Sequence, residues 1–323
     1  MLRPVLAALA AFLATAPALA ETPAEASSAV ILMYHRFGEG GIPSTNIRAD
    51  QFERHLDKLA KGGYRVAPLG EIADAIKAGR PIPPKTVAIT VDDAYASALH
   101  VAWPMMKARG WPMTIFVATE PVDHGTRGYL TWEQLRQMAK EGVTIGAHSE
   151  THAHMAKLSA AAATAEIERS NARFQAELGF VPKLFAYPYG EASSETLAAA
   201  RKAYDAAFGQ HSGVADASDD PYFLPRFALN ERYGDDDRFR VLIGALPLPV
   251  TDVTPTSPTL KANPPQFGFT VTDPDLPIRH LRCYATPDIK TTTEILGNRV
   301  EVRMEKPFPG TRGRLNCTLP GRD

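Results

Sequence analysis

Asp92 and Asp93 close the apolar run Ala88-Ile89-Thr90-Val91, and His148-Ser149-Glu150-Thr151-His152 follows after an interval long enough for one β-α-β unit. Two adjacent carboxylates at a strand end can divide their labour, one holding a metal ion and the other moving a proton. Two imidazoles spaced i and i+4 would share one face of a helical turn. Neutral imidazole nitrogens with one carboxylate oxygen suit Zn²⁺, Fe²⁺, Co²⁺ or Ni²⁺. Three protein ligands leave coordination positions open for water and substrate. The chemistry expected of this set is metal-assisted hydrolysis.

The elements that must position these residues run from Val30 to about Leu246 as short apolar strands alternating with helical patterns. Ile31-Leu32-Met33-Tyr34, Val87 to Val91, Thr114 to Val117, Val143 to Ala147, Leu184 to Ala186 and Ala206 to Phe208 read as buried strands. Helices are expected from a capping box at Asp50 to Glu53, from Ser97 to Arg109, from Thr131, from about Ser159 to Leu178, and from Ser194 to Tyr204. Asp235-Asp236-Asp237 suits a helix N-terminus, where acids complement the dipole. Hydrophobic rather than alternating strands imply a parallel sheet covered on both faces. The expected class is α/β, a distorted or partial (β/α) barrel. Asp92, His148 and the turn Tyr187-Pro188-Tyr189-Gly190 each follow a strand, on the face where barrel enzymes build their sites.

The chain ends place the barrel in a larger frame. Met1-Leu2-Arg3, the apolar stretch Val5 to Thr15 and Ala18-Leu19-Ala20 read as a signal peptide over residues 1–20, giving an exported, periplasmic or extracellular protein that begins at Glu21. The apolar stretch falls short of the roughly 20 residues a membrane-spanning helix needs, so no transmembrane segment is expected in the exported chain. Removing Arg3 takes the net charge from −1 to −2, too balanced for a nucleic-acid groove. The barrel domain is expected over 21–248, a Pro/Thr-rich linker over 249–258, and a small C-terminal antiparallel β-sandwich-like domain over 259–323, where segments such as Arg299 to Arg303 alternate with period two. Its two cysteines, Cys283 and Cys317, are expected to pair in an oxidising compartment.

Thr90-Val91-Asp92-Asp93-Ala94, His148-Ser149-Glu150-Thr151-His152 and Tyr187-Pro188-Tyr189-Gly190 together resemble the motifs of the polysaccharide deacetylases of the NodB-homology, carbohydrate esterase 4 group. Leu32-Met33-Tyr34-His35-Arg36-Phe37 further resembles the poly-N-acetylglucosamine deacetylase branch. The resemblance implies that Asp93, His148 and His152 bind one divalent transition metal, with Zn first and Fe, Co or Ni as alternatives. It also implies that Asp92 is the catalytic base and that the backbone N–H of Tyr189 stabilises the oxyanion. Three departures stand out: Ala94 replaces a glycine, Ala186 replaces an arginine that orients the catalytic carboxylate, and a late Leu-x-His motif carrying the general acid is missing. His35 is the candidate for the missing acid, as in the poly-N-acetylglucosamine branch, with His211 next. Arg226 is the candidate for the missing arginine, against the plainer reading of a surface pair with Asp219-Asp220.

Other aromatic and basic residues have plainer readings. His154 does not share the helical face expected for His148 and is expected to be exposed. Tyr129 and Trp132 suit either sugar stacking or core packing. The expected activity is removal of N-acetyl groups from an N-acetylhexosamine-containing polysaccharide of the cell envelope. The alternatives are an O-acetyl-xylan esterase or cyclic-amide hydrolase on the same scaffold, and a non-catalytic carbohydrate-binding protein.

Overall fold

A computed structural model of the protein describes residues 27–257, 259–286, 289–310 and 312–321. The signal peptide expected over residues 1–20 lies outside the described residues. Six strands, β1 (Ser28–Tyr34), β2 (Thr86–Val91), β3 (Thr114–Val117), β4 (Thr144–Ala147), β5 (Leu184–Ala186) and β6 (Ala206–Phe208), pair side by side in parallel in chain order. Across the remaining gap, Leu224 bridges Phe208 in parallel, and β7 (Phe227–Ala228) pairs in parallel with Leu32 and Met33 of β1. The segment that spans the two edges therefore carries Arg226 between them. The partial barrel expected from the strand pattern is the architecture observed.

Strand alternation divides the core in two. Ala29, Ile31, Ala88, Phe116, Leu184, Ala186, Ala206, Phe208 and Leu224 pack together, with Leu69, Ile72 and Ile76 of α2 (Leu69–Lys77) added to the same cluster. The neighbouring strand residues Val30, Leu32, Val87, Ile89, Ile115, Ile145 and Phe185 instead join the cluster that includes α1 (Ala49–Lys61), α4 (Trp132–Lys140) and α5 (Ala160–Leu178). Side chains of one strand point to opposite faces with period two, so each strand feeds both clusters and must be apolar throughout. Gly146 of β4 is required for this packing, since a Cβ there would lie 2.4 Å from the Phe116 ring.

Local boundaries differ from expectation at three places. Helix α1 starts at Ala49, not after Asp50, and the Gln51 side chain accepts from Arg48 N at 3.3 Å; Asp50 sits within the first turn. The helix expected from Ser97 opens as a π-turn at Ala98–Ala102 before α3 (Trp103–Ala108), which has Pro104 in its first turn, where its missing N–H costs nothing. The stretch 249–258 is not a linker throughout: Val250–Thr254 forms strand β8, paired antiparallel with β9 (Phe267–Val271). Alternate Val and Thr residues gave it strand propensity that the prolines around it masked. As expected, Ser159 caps α5, α6 spans Ser194–Ala203, and Asp235 caps α7 (Asp236–Ile243).

The C-terminal module holds two antiparallel sheets. One has the order β8-β9-β12-β11, with β11 (Thr291–Leu296) and β12 (Arg299–Met304); the other pairs β10 (Arg282–Thr286) with β13 (Arg314–Thr318). Phe269, Val271, Val300 and Val302 of the first sheet pack on Leu281, Cys283 and Leu319 beside the second. Cys283 and Cys317 face each other in register and are disulfide-bonded. The bond spans a sequence separation of 34 residues. A loop of that size is worth about 3–4 kcal/mol in the chain-entropy account, useful to so small a core. Among the described residues no helix is long and apolar enough to cross a membrane.

Candidate active site

Alternation along β2 puts Ala88, Thr90 and Asp92 on one face, toward the barrel interior, so Asp92 leaves the strand fully buried. Arg226 enters from the closing segment and is also fully buried. Its Nη1 and Nη2 donate to Asp92 Oδ1 and Oδ2 at 2.7 and 2.8 Å, Nη1 also to Thr90 Oγ1 at 3.1 Å, and Nε to the Gly209 carbonyl at 2.8 Å. Phe116 lies beneath the guanidinium, 5.3 Å from its carbon to the ring centre. Burial alone would push the Asp92 carboxyl up, but the Arg226 and His148 charges outweigh it and hold it below the usual carboxylate range. The surface pair with Asp219-Asp220 does not form; Asp220 pairs with Arg201 instead.

Asp93 turns away from its neighbour through a left-handed backbone, φ 73°, and Ala94 follows at 59°. Ala94 thus adopts the conformation that a glycine takes freely, at a cost of about 1–2 kcal/mol for its Cβ. His148 Nε2 lies 3.4 Å and His152 Nε2 3.1 Å from Asp93 Oδ1. The two histidines do not share a helical turn: residues 148–152 form a loop, with Ser149 and His152 left-handed at φ 65° and 58°. Ser149 Oγ accepts from His152 N at 3.0 Å and closes that loop. Its compactness, rather than helical periodicity, brings the imidazoles together.

These three residues could hold a metal ion, since one ligand atom from each lies within 4.8 Å of the others. His148 Nδ1 donates to the Ala186 carbonyl at 2.6 Å, so the lone pair on Nε2 faces the site. Buried Asp93 Oδ1 and His148 Nε2 have no hydrogen-bond partner. Two acceptors facing each other without a donor are reconciled by a cation between them. The electrostatics agree: burial pushes His148 down, yet Asp93 and Asp92 lift it above its ordinary value, so positive charge is favoured here. The donor set fits a divalent transition ion.

Tyr189 adopts φ 59° and ψ 2° in the turn after β5, with its ring edge-on to His152 at 4.6 Å. His35 follows β1 at the same end of the barrel. Burial holds it below its ordinary value, while the charges of Asp93, Asp92, Arg226 and His148 all act on it.

Residues 79–205 match the family described as polysaccharide deacetylase, a span that includes Asp92, Asp93, His148, His152 and Tyr189. Over that span the chain is similar to the polysaccharide deacetylases of the NodB-homology, carbohydrate esterase 4 group. The Bacillus subtilis (strain 168) protein YxkH is 29% identical over 201 residues, which cover 62% of this chain and 71% of that one. The Escherichia coli (strain K12) poly-beta-1,6-N-acetyl-D-glucosamine N-deacetylase is 24% identical over 246 residues; the match covers 62% of this chain and spans 36% of that enzyme. The structure of the Streptococcus pyogenes deacetylase PplD in complex with acetate superposes with a TM-score of 0.59 at 26% identity, covering 64% of this chain and 93% of that one. His35 and Arg226 fall outside the segment matched to the family, before and after it.

Around the deacetylase motifs, the structure sorts the remaining candidates. Trp132 is core: its ring packs edge-on against Phe174 and its Nε1 donates to Asp123 Oδ1 at 2.8 Å. Tyr129 pairs with Tyr95 at 4.7 Å, beneath Arg36, whose guanidinium carbon lies 3.3 Å from the Tyr95 ring centre. His154 is half-buried rather than exposed, stacked on Tyr189 at 4.0 Å and bonded through Nδ1 to Glu191 at 2.9 Å. His211 stacks on Phe223 at 4.6 Å with a buried, unpartnered Nδ1, and burial pushes it down to about 4.

Three residues escaped sequence reasoning. Glu166 of α5 reaches the loop of the deacetylase histidines, accepting from Glu150 N at 3.2 Å, Thr151 N at 3.0 Å and Thr151 Oγ1 at 3.0 Å. Its only signal was a lone acid on an alanine-rich helix face. Arg312 and Arg314 of the C-terminal module both donate to the Tyr189 carbonyl, at 2.7 and 2.8 Å, and nothing in the sequence connects them to it.

Proposed function

We propose that this chain is an exported, metal-dependent N-deacetylase that removes acetyl groups from an N-acetylhexosamine-containing polysaccharide. One observation carries the reading: the three-donor cluster of Asp93, His148 and His152 sits beside a separate carboxylate, Asp92, that a buried arginine keeps ionised. A divalent transition ion held by those three residues, Zn²⁺ or else Fe²⁺, Co²⁺ or Ni²⁺, would supply a Lewis acid and a water of lowered pKa.

The chain's own residues supply the proton movements. Asp92 accepts a proton from water as the oxygen adds to the acetamide carbonyl carbon; each carboxylate oxygen keeps a lone pair beyond the one given to Arg226. Arg226 fixes the plane of that carboxylate, the task of the arginine missing at Ala186. Tyr189 N–H donates to the developing oxyanion. His35 delivers a proton to the nitrogen as the C–N bond breaks, leaving a free amine and acetate. The names of the E. coli relative, a poly-beta-1,6-N-acetyl-D-glucosamine N-deacetylase, and of the acetate complex of the S. pyogenes deacetylase support this choice of substrate and product.

Acetate and free amine should appear when the purified protein is incubated with N-acetylglucosamine oligomers, and less product with acetyl-xylan. Release from acetyl-xylan alone would replace the reading with an O-acetyl esterase. No release from any acetylated glycan or cyclic amide would leave a binding protein.

A further inference from the structure

The C-terminal module reaches the barrel rim through one edge. Arg314 Nη2 donates to the Tyr189 carbonyl and to Gln210 Oε1 at 3.0 Å, and Arg312 Nη2 donates to the same Tyr189 carbonyl. Arg312 Nε pairs with Glu191 at 2.9 Å. Further along β13, Asn316 Oδ1 accepts from Ser212 N at 3.1 Å, and Leu246 N donates to the Leu319 carbonyl at 2.9 Å.

These contacts fall on two loops that the site depends on. The first is the Tyr189 turn. The second runs from Gly209 to Ser212: the Gly209 carbonyl takes Arg226 Nε, and the His211 carbonyl takes Arg226 N at 2.9 Å. Thus the module touches both the backbone that would bind the oxyanion and the loop that seats the arginine holding Asp92.

The Tyr189 turn needs an external hold. Its left-handed backbone is one that a tyrosine adopts only when its surroundings determine it. Two guanidinium groups on one carbonyl oxygen make charge-assisted bonds that fix the Tyr189–Gly190 peptide plane. With Tyr189 φ and ψ both set, at 59° and 2°, that plane also fixes where Tyr189 N–H points. The ring is held in the same way, by a circuit from Arg312 through Glu191 to His154, which stacks on it. Arg314 is held mostly out of water, and burial, with the Arg312 charge, pulls its pKa down to about 10. Its acceptors here are uncharged oxygens. A desolvated cation spent on neutral acceptors costs stability, and orientation of the turn is what it returns.

We infer that Arg314 and Arg312 are positioning residues of the deacetylase site, so that the C-terminal β module is built into the active centre rather than appended as a separate carbohydrate-binding unit. The inference rests on the reading of Tyr189 N–H as oxyanion donor. It makes the rate of the chemical step, and not only substrate capture, depend on a module that contributes no reacting group.

The test uses the full chain with N-acetylglucosamine oligomers. Arg314→Ala should lower kcat about tenfold to a hundredfold, less than outright loss of an oxyanion donor, with KM within about threefold of wild type. Bound metal and melting temperature should be unchanged, and added methylguanidinium should restore part of kcat. An unchanged kcat would overturn the inference, as would a loss that rises only through KM or that methylguanidinium fails to restore. A second readout separates this inference from the activity itself. In the Arg312→Ala/Arg314→Ala double variant, hydrogen exchange of the amides over residues 187–192 should quicken at least about tenfold, the loss expected from removing charge-assisted bonds. Unchanged exchange overturns the clamp even if the wild type is an active deacetylase. A wild type inactive on every acetylated glycan, with exchange that does quicken, would sink the oxyanion role and with it the positioning role in catalysis.

Discussion

Arg226 grips Asp92 with both terminal nitrogens, at 2.7 and 2.8 Å, across a separation of 134 residues. The pair is fully buried, and the arginine enters on the short segment that bridges the barrel's open edges. Closure of the fold and ionisation of the proposed base are therefore achieved by one piece of chain.

That coupling gives a prediction with a pH signature. Arg226→Lys keeps a positive charge but loses the planar fork, so it should retain folded protein while lowering kcat by about tenfold to a thousandfold. Arg226→Met should be far worse, because breaking a buried pair costs about 3–5 kcal/mol by stranding Asp92. Burial then raises Asp92 against the His148 and His35 charges alone. A base must be ionised to act, so the acid limb of kcat/KM should move to higher pH than in wild type, furthest in Arg226→Met and less in Arg226→Lys, which keeps the charge but loses the paired hydrogen bonds. An acid limb at the wild-type position would show that Arg226 does not set the ionisation of the base.

The metal reading is checked on the cluster itself. Protein purified without chelator should carry about one divalent transition ion per chain, and His148→Ala should lower that content along with activity. His152→Ala should do the same while disturbing the fold less, because its ring is partly exposed and His148 is buried. Full activity after complete removal of metal would refute the proposed use of Asp93, His148 and His152.

A third prediction concerns stability and pH at a histidine far from the chemistry. His55 stacks on Phe239 at 3.8 Å, with Nε2 2.9 Å from the Gly234 carbonyl and Nδ1 3.0 Å from the Tyr34 hydroxyl. Burial, opposed by the bond to Gly234, pushes its pKa down from 6.5 to about 4. As pH falls through 6.5 the unfolded chain takes up a proton that the folded chain refuses. The stability from a neutral His55 is therefore complete above pH 6.5 and drains away toward pH 4, by about 3 kcal/mol at most. In denaturant titrations, the wild-type advantage over His55→Gln should shrink across that window; an advantage independent of pH would contradict the assignment.

How much could be read in advance depends on sequence distance. Asp92 and Asp93 are adjacent, and His148 and His152 lie in one short motif, so their association survives without knowledge of the fold. Their geometry does not: the left-handed backbones at Asp93, Ala94, Ser149, His152 and Tyr189 sit among hydrogen bonds from elsewhere in the fold, such as Leu130 N–H to the Ala94 carbonyl and Thr119 N–H to the Ser149 carbonyl. At Ala94, Ser149 and Tyr189 no local propensity favours them. The barrel strands were legible because buried parallel strands are apolar on both faces, whereas β8 was hidden by flanking prolines. Arg226 could be nominated as the arginine orienting Asp92 only through the family resemblance, against a surface pair with Asp219-Asp220; the residues themselves, 134 positions apart, do not show the contact, because only barrel closure brings them together. Arg312 and Arg314 were beyond reach for the same reason, on a module whose docking has no sequence signal.

The last prediction asks whether His35 moves the second proton. It follows the end of β1, and Asp93, Asp92, Arg226 and His148 all lie close enough to act on its charge. Burial keeps it neutral at rest, so it can serve as the acid only after gaining a proton during the cycle, as a group working beside an ionised carboxylate can. An amine leaving group needs that proton; an activated aryl acetate leaves as a stable anion and does not. His35→Ala should therefore retain metal and fold but lose amide hydrolysis by roughly two to four orders of magnitude, with an aryl acetate affected far less. Equal losses on the two substrates would make His35 a structural residue. The acid would then be sought at His211, whose buried, unpartnered Nδ1 makes it the next histidine to replace.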